Sequence, residues 1–165
     1  YIFLQRTSLT HCDQEMLHFA QDIVRAKDRQ HLILLSEKIL EKMPYQPEST
    51  SVTTLATDAF YAAKGVCQDH AHVMIAMCKA LHLPARYVSG YLYDQNQPHL
   101  ASHAWAEVFV DNQWYCFDIS NQIFSPQNHI YVAVGRDYLD VAPIRGVREH
   151  GGVESMMSVV QVLAC

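Results

Sequence analysis

Gly65-Val66-Cys67-Gln68-Asp69-His70-Ala71-His72, running on into the apolar segment Val73 to Leu81, is the stretch from which the rest of the chain is read. Gly65 interrupts whatever precedes it. Beyond it Ala71, Met74, Ile75, Cys78 and Leu81 recur at helical spacing. Val73, Ala76, Met77 and Ala80 cover much of the other side, so the spacing predicts a helix buried almost all round. Cys67 then stands on the first turn, where unpaired backbone N–H groups and the positive end of the helix dipole favour a thiolate. Thiolates so placed are the reactive ones. Free cysteines are equally often small core residues, and position on the helix alone leaves both readings open.

Upstream the pattern is helical. Thr10-x-x-Asp13 has the form of a capping box ahead of Met16, Phe19, Ala20, Ile23 and Val24. A second helix is expected from His31 to Met43, with Leu32, Leu35, Ile39 and Met43 inward, ended by Pro44 and a surface loop to Ser49. A third is expected to be capped by Thr53, to bury Leu55, Ala59, Phe60 and Ala63, and to stop at Gly65.

After Pro84 the period changes. Arg86 to Tyr93 is rich in aromatic and β-branched residues and reads as a strand, and Asp94 to Pro98 as a polar loop. His103 to Val110 alternates: His103, Trp105, Glu107 and Phe109 on one face, Ala104, Ala106, Val108 and Val110 on the other. Asp111-Asn112 suits a two-residue turn into Gln113 to Ile119. His129 to Val134 and Val153 to Leu163 are two further strand candidates. Helices first and strands afterwards point to one α+β domain with an antiparallel sheet.

Composition narrows the class. Half of the 165 residues are hydrophobic, enough for a single core over 1–165. A net charge of −5 offers no basic surface for nucleic acid or an anionic membrane. No run approaches a membrane span. Five cysteines at 12, 67, 78, 116 and 165, with no CxxC pair, suit a reducing compartment and hence the cytoplasm. No secretory signal precedes the first element, and a start at Tyr1, in a strand-like Tyr1-Ile2-Phe3-Leu4, is expected of a piece of a longer protein.

The hairpin places chemistry. A turn at 111–112 pairs Val110 with Gln113, which sets Trp105 opposite Asp118 and His103 diagonal to Asp118 on the same face. A slip of one residue would separate them. Brought to the mouth of the Cys67 helix, the pair completes a cysteine nucleophile site. His103 takes the thiol proton, Asp118 orients the ring, and N–H groups at the helix start bind an oxyanion.

At this point the chain resembles a known family. Gly65-Val66-Cys67-x-Asp69, Pro84-Ala85-Arg86-Tyr87-Val88-Ser89-Gly90-Tyr91, Ser102-His103-Ala104-Trp105-Ala106-Glu107-Val108, Trp114-x-x-Phe117-Asp118 and Gly135-Arg136-Asp137-Tyr138-x-Asp140-Val141 follow the order seen in bacterial transglutaminase-like proteins. Those are candidate cysteine proteases of the papain-like superfamily. The resemblance runs roughly from Thr7 to Val162. It implies a papain-like, transglutaminase-core fold, a Cys67–His103–Asp118 triad, no cofactor, and a peptide or amide-containing substrate. Gln68 and His70 stand where the family commonly has Arg and an aromatic, and Ile119-Ser120 where it usually has Pro-Thr. An N-terminal β-rich region common in the family is absent.

Other residues carry two readings each. Trp105 either stacks on a substrate or packs across the strands, and His70 is either a pocket wall or a hydrogen-bonded core histidine. Ser102 is a third candidate substrate contact. Cys67-x-x-His70, with His72 beside it, lacks the second ligand pair of a zinc site, so no metal is expected. Cys78 and Cys116 fit core packing. Arg86 and Glu107 are expected to pair on or near the sheet, and Gly135 to Tyr138 to form a turn held by charged hydrogen bonds. The expected activity is hydrolysis of an amide or peptide bond through an acyl-thioester on Cys67, with acyl transfer to an amine or a silent interaction module as alternatives, and oligomeric state is not legible.

Overall fold

A computed structural model describes residues 2–93, 101–143 and 160. After a 3-10 turn at Ile2–Leu4, where a strand was expected, come helices α1 (Gln14–Ile23), α2 (Arg29–Lys42), α3 (Ala56–Ala62) and α4 (Cys67–Ala80). Strands β1 (Ala85–Leu92), β2 (Ser102–Val110), β3 (Gln113–Phe117) and β4 (His129–Gly135) follow, and then the short helix α5 (Tyr138–Val141). The expected loop at 94–98 and, residue 160 apart, the strand candidate at 153–163 lie outside the described residues, as does Cys165.

Helix α4 is the centre, and the apolar periods of the other elements fold around it. Every residue from Gln68 to Ala80 is buried. Leu32, Leu35, Ile39 and Met43 of α2 and its C-cap are the inward stripe that the spacing predicts, all fully buried. The caps differ from expectation. Asp13, not Thr10, caps α1, its carboxylate accepting the Met16 N–H at 2.9 Å, because Asp13 is the extended residue immediately before the helix. Leu55 stands at the start of α3 with no side-chain bond, while Thr53 is exposed. That helix ends at exposed Ala63, left-handed at φ 53°, two residues ahead of Gly65.

The four strands form one antiparallel sheet in the order β3-β2-β1-β4. Asp111 and Asn112 have φ of 52° and 63°, the paired left-handed conformation of a two-residue hairpin turn. Pairing then runs from Val110↔Gln113 to Ala106↔Phe117, the register expected. The ladder stops one pair short of Trp105 and Asp118. Asp118 instead turns back and bridges Ile123. Ala104, Ala106, Val108 and Val110 pack in the α4 core, while Trp105 joins Val88 and Cys116 on the opposite face.

One irregularity interrupts the sheet. Between β1 and β4, Ser89 pairs with Ala133 but Gly90 pairs with Tyr131, so Val132 is the extra residue of a bulge. A Cβ on Gly90 would lie 2.0 Å from the Ile130 carbonyl oxygen and 2.8 Å from Trp105. Only glycine permits that approach.

Candidate active site

Cys67 opens α4 and is half-buried. The chain is held there by Asp69 three residues past the cap, whose Oδ2 accepts the Val66 N–H at 2.8 Å and the Thr50 hydroxyl at 2.6 Å. Gly65 leaves room for that carboxylate, since a Cβ there would lie 2.8 Å from Asp69 Cβ. Pro44 to Gln46 runs beside this turn, with the Gln46 N–H on the Gly65 carbonyl at 2.9 Å.

The structure brings the three expected residues together. His103 Nε2 donates to Asp118 Oδ2 at 2.7 Å. Cys67 is close enough to the imidazole to help push it upward, and Asn121 Nδ2 stands 3.3 Å from its Nε2. Asp118 is fully buried, and the His103 side chain is 12% exposed. Burial pulls His103 down, but hydrogen bonds and charge from Asp118 and Cys67 outweigh it and push the imidazole up to about 9. Burial likewise works against the Asp118 carboxylate, yet donors from His103, His129 and Asn121 hold it well below the usual carboxylate range. A carboxylate that stays ionised and an imidazole that holds its proton are the state an activated thiol needs.

Two expected substrate contacts are corrected. Trp105 is fully buried, edge-on to His129 at 4.7 Å and to Tyr131 at 5.0 Å between ring centroids, so it takes the packing alternative. His70 is a core histidine, its ring nitrogens bonded to Ser120 Oγ at 2.8 Å and to the Met43 carbonyl at 2.7 Å. Ser102 is exposed at the start of β2, opposite Tyr91. His72 is buried and accepts the Tyr138 N–H at 3.2 Å.

Arg86 and Glu107 pair directly across β1 and β2, with Arg86 Nε 2.7 Å from Glu107 Oε2. The turn after β4 is stapled as expected: Arg136 binds the Asp140 carboxylate, and Asp137 caps α5 through the Leu139 N–H at 2.8 Å.

Sequence reasoning missed three neighbours. Asp69 could have been found, because an acid three residues past a helix cap is the second half of a capping box. Asn121 Nδ2 donates to Asp118 Oδ2 at 3.0 Å and its N–H to Oδ1 at 3.2 Å, the local turn that Asp three residues earlier favours. His129 Nε2 reaches the same Oδ2 at 3.0 Å, and no local signal announces it. His103, Asp118 and His129 thus offer three donor atoms all within 4.8 Å of one another. That set has the chemistry of a zinc site, though here both Nε2–H groups are spent on the carboxylate.

Comparison with known proteins gives the family and the fold. A model of the transglutaminase-like superfamily core matches residues 18–119, which contain Cys67, His103 and Asp118. An uncharacterized protein of Mycobacterium leprae is 30% identical over 166 residues, covering 96% of this chain and 59% of its own length. One of Mycobacterium tuberculosis is 36% identical over 137 residues, covering 76% and 44%. A candidate cysteine protease from Cytophaga hutchinsonii superposes with a TM-score of 0.74 at 29% identity, over 85% of this chain and 48% of that one. The periplasmic domain of TgpA from Pseudomonas aeruginosa, bound to ethylmercury, shares the fold at TM-score 0.56 and 23% identity, over 73% and 48%. The chain spans about half the length of the proteins it matches. No helix among the described residues is long and apolar enough to cross a membrane. With its ordered motifs, a helix on an antiparallel sheet and a matching core, this chain belongs to the transglutaminase-like superfamily.

Proposed function

We propose that this chain is a cysteine-dependent hydrolase of amide or peptide bonds, with Cys67 as nucleophile, His103 as acid and base, and Asp118 as the group that orients and charges the ring. The observation that carries this is the 2.7 Å hydrogen bond from His103 Nε2 to buried Asp118, on an imidazole that Asp118 and Cys67 together push upward. Sγ attacks the amide carbonyl carbon, and the C–N bond breaks as His103 passes its proton to the leaving amine. Water, losing a proton to His103, then attacks the thioester, and the C–S bond breaks to release a carboxylic acid and the thiol. Backbone N–H groups at the start of α4, that of Cys67 among them, would bind the developing oxyanion.

Water as acceptor makes a peptidase or amidase, and an amine makes a transglutaminase. Hydrolysis is favoured because water needs no second binding site. A silent module would not need this arrangement of thiol, imidazole and carboxylate. Exposed Ser102 is a candidate substrate contact. The proposal takes residues 1–165 as one catalytic unit, and the free cysteines 12, 67, 78 and 116 support a reducing, cytoplasmic setting.

Single-turnover cleavage of a panel of chromogenic peptide anilides tests it. Release of the anilide should vanish in Cys67→Ala, and an unchanged rate there would overturn the proposal. Iodoacetamide at pH 6 should alkylate Cys67 at least tenfold faster in the parent than in His103→Ala.

A further inference from the structure

The carboxylate at the centre of the site has one more histidine than a triad uses. His129 lies on β4, ten residues beyond the segment that matches the superfamily core. Its side chain is fully buried, and Nε2 donates to Asp118 Oδ2 at 3.0 Å, opposite the 2.7 Å bond from His103. His129 Nδ1 is buried with no partner, so among the described residues Asp118 holds the ring's hydrogen bond. His70 has both of its nitrogens bonded, while His72, like His129, has one.

The placement is built into the sheet. In an uninterrupted strand His129 and Tyr131 would share a face with Ala133, which packs towards α4. The extra residue Val132 shifts the phase, and both side chains pack against Trp105 on the triad side. Bulges re-aim side chains in this way, and they concentrate beside active sites. Gly90, without a Cβ, lets the bulged strand close on β1.

We propose that His129 is a positioning residue that acts through Asp118, sharing its Oδ2 with His103 and so limiting how tightly the carboxylate holds the His103 imidazolium. This rests on the hydrolase reading above. Without the His129 donor the buried carboxylate would bind the imidazolium more firmly, and His103 would be a poorer acid towards the leaving amine. His129 adds to Asn121 Nδ2 on the same oxygen and spreads its charge further. Asn121 keeps Asp118 in place when His129 is changed. The titratable groups around the carboxylate are His103 on β2, His129 on β4, His70 on α4 and the Cys116 thiol on β3, with Cys67 facing His103.

The test is the titration of the His103 ring, followed by NMR in a Cys67→Ala background, so that it needs no turnover. Leu at 129 (H129L) removes the donor, and Phe (H129F) removes it while keeping an aromatic ring against Trp105. Gln (H129Q) offers an Nε2 donor again. Losing one donor should raise the His103 midpoint by about half a unit to one unit in H129L and H129F, and H129Q should return it to within roughly 0.2 of the parent. With Cys67 intact, the same two variants should lose about threefold to tenfold in kcat with KM unchanged, and H129Q should recover it. A parent-like midpoint in folded H129L or H129F, or an equal shift in H129Q, overturns the proposal. A parent that shows the titration shifts but cleaves no amide would overturn the hydrolase reading and leave the role of His129 standing.

Discussion

On the face of the sheet that meets α4, β2 presents Ala104, Ala106, Val108 and Val110, small or branched aliphatics filling space against a buried helix. On the opposite face the same strand presents His103, Trp105 and Glu107. There two buried carboxylates each gather several donors around one indole. Glu107 takes Arg86 at 2.7 Å and the Tyr131 hydroxyl at 2.7 Å, and Asp118 takes His103, His129 and Asn121. Strand β4 supplies a donor to both. The aliphatic face draws its strength from area removed from water and tolerates any filling of the right volume. The polar face depends on direction, because a buried polar group without its partner is costly.

That contrast can be broken most sharply at Asp118. Asp118→Asn keeps volume but cannot charge-pair with His103, and amide cleavage should fall by about a thousandfold or more while the fold survives. Equal loss of stability and activity in a urea titration paired with kinetics would show that the polar face is merely structural. On the aliphatic side, Ile75→Ala opens a cavity at a fully buried position and should cost about 2–5 kcal/mol of unfolding free energy. Residual activity at low temperature should stay near the parent's. A midpoint shift in urea without loss of kcat is the expected pairing.

Gly90→Ala probes the seam between the two regimes. Its Cβ would meet the Ile130 carbonyl oxygen at 2.0 Å, so β1 and β4 must part, at roughly 1–3 kcal/mol or more. Because His129 and Tyr131 are carried by that strand, activity should suffer more than stability alone explains.

The smallest effect is the dependence of stability on pH. His103 is raised in the folded protein to about 9, so its contribution is complete below the unfolded value of roughly 6.5 and fades as pH rises towards 9. Asp118 is lowered, so its contribution is present above the unfolded carboxylate value of roughly 4 and is lost as pH falls below it. Unfolding free energies from urea titrations should therefore drop between pH 6.5 and 9, by on the order of 1 kcal/mol after allowance for the shared pair, and His103→Ala should flatten that limb. A parent profile that is already flat there would contradict the proposed ion pair.

Much of this molecule was legible in its residues. The apolar period from Ala71 to Leu81 is wide enough to require burial on all sides, and α4 is buried on all sides. Asp111 and Asn112 tolerate positive φ, so the turn and the register of β2 on β3 followed, and with them the meeting of His103 and Asp118. Caps were less legible, since Thr10, Asp13, Thr53 and Leu55 compete within a few residues and packing chooses among them.

What the sequence by itself determined was therefore face and period: which residues of an element lie together, and that His103 and Asp118 meet across the hairpin. The tertiary structure alone added His129, of ten histidines, to the surroundings of Asp118. His70 and His72 sit beside Cys67 in sequence yet turn to Met43, Ser120 and Tyr138, while His129, eleven residues past Asp118, arrives from another strand. The physical reason is phase. Alternation along a strand sets its faces only until a bulge intervenes, and the bulge at Val132 forms against Gly90 and Trp105, contacts that exist only once β1, β2 and β4 have come together.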